Sequence, residues 1–142
     1  MKNNFRKDPN LPKSAKLVFD GVLYDVYQWP QKVYNGDIRT FEKLTRNSTV
    51  DTIPVTKDKK IVVLWQEQPT KPLFPGIAGG QIDMGEEPVE AAVRELKEET
   101  GLHSGNVVLF KNYLGSSKIY FRQHVFIAKD CVKKFKTQFD GG

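Results

Sequence analysis

Three glutamates, Glu95, Glu98 and Glu99, stand at i, i+3 and i+4 of one segment. At about 100° per residue a helix puts them on one face. Like charges at that spacing cost a few tenths of a kcal/mol each in water, and more where they are partly buried. A hard divalent cation turns the repulsion into binding. Mg²⁺ takes carboxylate oxygens and water, and shares its shell with substrate phosphates. A solvated acidic helix face has the same pattern, so the neighbouring residues must decide between the two.

The segment has its own start and stop signals. Pro88 suits a first helical turn, where its missing N–H leaves nothing unpaired, and Gly101 suits the position just past the end. Val89, Ala92, Val93 and Leu96 recur at helical spacing and predict an apolar face that anchors the helix with the three acids at its edge. Glu90 and Arg94 fall on a third side, where Arg94 meets neighbouring acids.

The remainder of the chain predicts β structure around this helix. Residues 1–15 read as a loose polar arm. Leu17-Val18-Phe19 precedes an Asp20-Gly21 turn, and Val22 to Trp29 forms a strand that Pro30 interrupts. Asn35-Gly36 marks a hairpin, with Ile38 to Leu44 as the return strand. Thr49 to Thr56 and Lys60 to Glu67 form a second pair. Its run Ile61-Val62-Val63-Leu64-Trp65 reads as a central buried strand. Gln68 to Gly76, with three prolines, reads as a loop. Val107 to Tyr113 and Ile119 to Ala128 are two further strands, and the segment from Lys133 on has no clear pattern.

Bulk properties set limits on function. The chain has 142 residues, 39% hydrophobic and 27% charged, as expected for one ordinary domain with a real core. No apolar run is long enough for a transmembrane helix, and the polar N-terminus is unlike a secretory signal. One cysteine, Cys131, allows no internal disulfide and reads as a buried thiol, so the expected compartment is the cytoplasm. The net charge of +5 comes from dispersed lysines rather than a stripe, which argues against a nucleic-acid partner. His103 and His124 are too far apart in sequence for a local metal pair and read as surface or packing residues.

Gly80-Gln81-Ile82-Asp83-Met84-Gly85-Glu86, seven further residues, then Arg94-Glu95-Leu96-Lys97-Glu98-Glu99-Thr100-Gly101-Leu102 resembles the Nudix box at all nine of its defined positions. The match covers 23 of 142 residues, and the flanking strands follow the same family order. The resemblance implies an α/β fold, the Nudix α/β/α sandwich with a mixed sheet. It also implies an N-terminal antiparallel β unit over 16–46 and a catalytic domain over 47–142 with the box at 80–102. Glu95, Glu98 and Glu99 would bind Mg²⁺ or Mn²⁺ with the backbone carbonyl near Gly79, while Glu86 and Arg94 hold the helix and its acids. Gly79, Gly80 and Gly85 would let the backbone turn tightly and approach the metal. The implied reaction is hydrolysis of a nucleoside diphosphate linked to another group, with Glu98 or Glu95 as the first choice of base.

Within the family, the segment before the box is similar to that of ADP-ribose and ADP-sugar pyrophosphatases. There an N-terminal antiparallel unit pairs with a second subunit. Tyr24, Tyr27, Trp29, Tyr34 and Phe41 exceed what a lone hairpin buries, so a homodimer is expected. Trp29 is a candidate for base stacking, and Arg39 and Arg46 for phosphate contact. One departure stands out: Glu67-Gln68-Pro69-Thr70 lacks the arginine that several ADP-ribose enzymes carry there. Nucleotide-pool or RNA 5′-end pyrophosphohydrolases, and a catalytically weak nucleotide-binding domain, are the alternatives. A Nudix domain usually continues into another strand and a closing helix, with a loop acid near the end of the sheet. Here Asp140 is the only late acid near that position. The expectation is a shortened chain lacking the C-terminal helix, its loop acid beyond Gly142.

Overall fold

A computed structural model describes residues 6–138. Asp140 and the first residues of the polar arm lie outside that range. The chain divides into two units, one of residues up to Ser48 with Tyr113–Arg122, the other of Thr49–Asn112 with residues from Gln123 on. Tyr113–Arg122 therefore belongs with the N-terminal strands, although the sequence places it in the catalytic domain.

The first unit is a four-stranded sheet. Strands β1 (Lys16–Asp20), β2 (Asp25–Lys32) and β3 (Ile38–Thr45) run antiparallel, and the short strand β10 (Ile119–Tyr120) adds in parallel to β3. Pro30 does not end β2; it sits inside the strand opposite Thr40. Pairing with β1 reaches only Gln28, so beyond it one side of β2 has no ladder for a proline to interrupt. The Asn-Gly hairpin forms with a longer loop than two residues. Val33 N–H donates to Asp37 O at 2.9 Å, Gly36 takes φ +92°, and the Asn35 side chain accepts from Asp37 N–H at 3.1 Å.

The second unit carries the helix. β4 (Thr49–Thr56) lies between β7 (Ala78–Gln81), antiparallel, and β11 (Arg122–Lys133), parallel; β8 (Leu102–His103) and β9 (Asn106–Leu114) also pair with β11. The sheet is therefore mixed, and the single α-helix among the described residues, α1 (Pro88–Thr100), packs on one of its faces. Val50, Thr52 and Pro54 alternate toward the interior, and the Thr52 hydroxyl donates to Ala92 O at 3.3 Å. Val50, Ile82, Ala91, Ala92 and Phe126 form the core here, with Val107 against them. A second cluster joins Leu96, Leu102, Ala128 and Cys131. The two alanines let the helix backbone approach the sheet closely, and Leu96 supplies the large buried side chain, worth about 3 kcal/mol against alanine.

Two expectations for this unit fail. Ile61 to Trp65 is not the central strand. Both edges of β4 are already taken by β7 and β11, so the segment gains only an Ile61–Val55 bridge and a Val62 N–H to Pro54 O bond at 3.0 Å. It then enters β5 (Leu64–Gln68), which pairs with β6 (Lys71–Gly76) as a separate two-stranded ribbon. Ile61, Val63 and Trp65 point outward, with Trp65 70% exposed. A five-residue apolar run does not by itself say whether one face or two are covered. The proline-rich segment expected to be a loop is β6. A ribbon strand with one partner tolerates Pro72 and Pro75, and Thr70 makes the turn at φ +68°.

Candidate active site

Helix α1 begins and ends where its residues dictate. Pro88 occupies its first turn, the Glu90 side chain accepts from Glu87 N–H at 2.9 Å, and Gly101 closes it in the left-handed region at φ +67°. The chain after β11 then returns to the helix's carboxyl end. Lys134 and Phe135 N–H both reach Gly101 O at 3.0 Å, Gln138 N–H reaches Glu98 O at 2.7 Å, and the Lys133 ammonium reaches Thr100 O at 2.6 Å. These bonds satisfy carbonyls that every helix end leaves open, and they fix the turn that bears Glu98 and Glu99. Phe135 packs under Lys97 and edge-on to His103, so that histidine has a packing role.

The buried side of α1 is Ala91, Ala92, Leu96 and Thr100. Val89 and Val93, expected on the apolar face, are instead 41% and 42% exposed. With Glu90, Arg94, Lys97, Glu98 and Gln138 they line a shallow cleft of ≈ 470 Å³ along the outer side of the helix.

Arg94 is the hub of the acidic face. Its Nε and Nη2 grip Glu86 in a bidentate pair at 2.8 and 3.0 Å. Nη1 donates to Glu95 at 2.7 Å and Glu98 at 3.3 Å, and Nη2 also reaches Gln81 O at 3.0 Å. Glu86 in turn accepts from Asp83 N–H at 3.0 Å, which closes the loop before the helix. The paired Arg94 holds the Glu86 carboxyl below its usual range, and Glu86 holds the arginine proton more firmly still. Glu86 and Arg94 are thus placed to hold loop, strand and helix together.

Glu99 turns to the sheet edge, where its Oε2 accepts from Gly79 N–H at 2.9 Å. Burial pushes the Glu99 carboxyl up, and the charges of Glu95, Glu98 and Asp51 add to that; burial likewise pushes Glu95 up against the pull of Arg94. Gly79 and Gly80 do not make tight turns; they lie in β7, and their use is space. A side chain on Gly80 would strike the Glu95 carboxylate, and one on Gly79 would lie 2.5 Å from Asp51 Oδ1. Gly85 alone of the three takes positive φ, at +80°.

Among the described residues no three acidic, histidine or cysteine side chains are already drawn together as a metal cage. Glu95 and Glu98 face Arg94, and Glu99 faces the Gly79 amide. The donors nonetheless suit a hard divalent cation. They are carboxylates, two are raised by burial and mutual repulsion, and Gly79 and Gly80 let them close on the backbone of β7.

The residues proposed for nucleotide contact are all in the first unit. Trp29 pairs with Phe41 at 6.1 Å between ring centroids and donates to Gln31. Arg46 is stacked between the rings of Tyr24 and Phe121, at 5.5 and 5.3 Å. Arg39 is exposed beside Asp37. Arg46 follows Arg39 by seven positions along and just past β3, roughly 23 Å of extended chain, so the two do not form one phosphate site. Asp51 has no counterpart in the sequence-level reading. It lies outside the box, and only the pairing of Asp51 with Gly79 across β4 and β7 brings it to the acids.

The NUDIX domain model matches residues 45–139, two-thirds of the chain, and with the box geometry this shows that the chain belongs to the Nudix family. Within that family its similarity is to hydrolases of the ADP-ribose type. It is 29% identical over 130 residues to an ADP-ribose pyrophosphatase of Bacillus subtilis, covering 89% of this chain and 70% of the relative. It is 32% identical over 121 residues to the ADP compounds hydrolase NudE of Escherichia coli, covering 82% and 64%. The chain therefore spans about two-thirds of the length of these relatives. A solved ADP compounds hydrolase superposes with a TM-score of 0.76 at 23% identity, over 90% of this chain and 71% of that one. A MutT structure, from work on Aliivibrio salmonicida and Vibrio cholerae, reaches 0.51 at 22% identity over 60% of this chain and 66% of that one. Both structural matches bear on the fold alone.

Proposed function

We propose that this Nudix hydrolase cleaves the diphosphate bond of ADP-ribose or a related ADP compound, with Mg²⁺ as the cation and Mn²⁺ as its substitute. The observation that carries the reading is the charge imbalance at α1. Glu95 lies against Gly80 and Glu99 against Gly79, Glu98 stands beside them on the one arginine among the three, and burial pushes the carboxyls of Glu95 and Glu99 up. Glu95, Glu98, Glu99 and the Gly79 carbonyl would hold the cation. When bound, it neutralises the diphosphate and lowers the pKa of a water. Glu98 is the least encumbered of the acids, with one long bond to Arg94, and is the first choice for receiving that water's proton. Glu86 and Arg94 position the acids without touching substrate. The named relatives favour an ADP compound over a nucleoside triphosphate.

The first unit is proposed to pair two copies in the cytoplasm. Tyr27 is buried and Trp29 meets Phe41 within the unit, so these aromatics are already used. Tyr34 at the hairpin tip and Leu17, Val18 and Phe19 on β1 are left uncovered. No helix among the described residues is long and apolar enough to cross a membrane.

Product analysis on ADP-ribose, an ADP-sugar, a dinucleotide and a nucleoside triphosphate, with Mg²⁺ and with chelator, tests the activity. AMP from the first two in Mg²⁺ alone supports it; turnover of the triphosphate only would overturn the substrate class. Light scattering at micromolar concentration tests the pairing, and a monomer mass contradicts it.

A further inference from the structure

The alternation of β4 sends Val50 and Thr52 toward α1 and Asp51 to the other face of the sheet. There its register partner is Gly79, and the missing side chain of that glycine is what admits Asp51 Oδ1. The other oxygen, Oδ2, accepts a hydrogen bond from the Gln123 amide of β11, the strand on the far side of β4. One oxygen is thus held by a neutral donor, while the other lies against the glycine whose N–H binds Glu99. An ion pair would neutralise the carboxylate; an amide only orients it. A carboxylate oriented by an amide beside an electron-rich edge suits a water of a bound cation's shell. Mg²⁺ keeps several such waters, and the groups that hold them govern affinity.

We propose that Asp51 is a further acid of the cation site, binding a cation-held water beside Gly79, and that Gln123 positions it. This rests on the reading that Glu95, Glu98 and Glu99 bind a divalent cation. None of the nine box positions includes either residue.

The test is Mn²⁺ binding to the whole chain, followed by the electron paramagnetic signal of free Mn²⁺, without substrate. Asp51→Asn keeps size and an acceptor for Gln123, and is expected to weaken binding about tenfold. Gln123→Leu keeps every charge but releases the carboxylate, and should weaken binding by a smaller factor, about threefold. Asp58→Asn, on the exposed turn after β4, changes net charge equally and should bind as wild type. Glu99→Gln should lose binding altogether. Wild-type affinity in Asp51→Asn beside lost binding in Glu99→Gln overturns the role of Asp51 and leaves the cation site standing. An Asp58→Asn loss equal to that of Asp51→Asn also overturns it, because net charge alone then explains the effect. Wild-type affinity in Glu99→Gln sinks the cation reading itself. If Asp51→Asn does not fold, Gln123→Leu decides: unchanged affinity there contradicts the proposal.

Discussion

The first unit and the acidic face of α1 in the second handle acidic side chains in opposite ways. In the first, each paired acid has its own partner: Asp8 with Lys43 at 2.5 Å, Asp25 with Arg6 at 3.8 Å, Asp37 with Arg39 at 3.9 Å, and Glu42 with the Gln28 amide at 2.6 Å. In the second unit Asp58 and Asp130 also pair with Lys60 and Lys59 at the surface. At α1, among the described residues, Arg94 serves Glu86, Glu95 and Glu98, with Asp83 at 3.9 Å, while Glu99 and Asp51 each accept from an amide. The chain as a whole carries +5, so lysines are not in short supply. Acids matched one to one hold a fold together. Acids left in excess, half-buried and against bare backbone, lower stability, a cost that the proposed cation would relieve.

The largest break in that contrast is in catalysis. Glu98→Gln or Glu99→Gln should cut ADP-ribose hydrolysis by about a hundredfold or more, as expected when metal-borne stabilisation of a few kcal/mol is removed. Steady-state kinetics checks this, with melting temperatures held near wild type. Rates like wild type in both variants would place the cation elsewhere.

Next in size is stability. Arg94→Leu strips the counter-charge from three half-buried acids and should cost about 3 kcal/mol in denaturant unfolding. Saturating Mg²⁺ should recover part of it by supplying the missing charge. No recovery would mean that Arg94 and the cation do not share the same acids.

The pH dependence of the cation-free protein should separate the two kinds of acid. Glu95 and Glu99 have folded-state values raised above their ordinary 4.5, so folding favours their protonated forms. Their contribution to stability is full below 4.5 and is lost as pH climbs through the raised values. Asp8, whose carboxyl Lys43 holds low despite burial, behaves in reverse: its contribution is present above 3.8 and lost as pH falls through the lowered value. Melting curves across the acid range should lose the upward limb in a Glu95→Gln/Glu99→Gln variant and the downward limb in Asp8→Asn. An unchanged upward limb in the double variant would show that the helix acids are not strained.

The smallest effect belongs to the exposed hairpin. Arg39→Ala removes a solvent-facing pair with Asp37 and should change stability by less than about 0.5 kcal/mol. A clear loss of ADP-ribose affinity in that variant would restore Arg39 as a substrate contact.

How much was legible follows from how local each signal is. Helix α1 was legible to the residue, because Pro88, Gly101 and the apolar spacing act within one element. The N-terminal strands were legible through Asp20-Gly21 and Asn35-Gly36, although Pro30 marked an unpaired edge rather than an end. Ile61 to Trp65 was misread because burial depends on which strands already occupy the edges of β4. Val89 and Val93 matched the helical period, yet the alanines beside them bring the helix down on its other side. Asp51 was invisible, since its place beside Gly79 exists only once β4 and β7 pair in register.

Cleavage of a diphosphate with a divalent cation held at the α1 acids is tested most directly by AMP release from ADP-ribose by wild type and Glu99→Gln, each with Mg²⁺ and with chelator. The expected result is turnover in wild type with Mg²⁺ alone, lost with chelator and in the variant. Equal AMP release by wild type with chelator, or by Glu99→Gln, would contradict it.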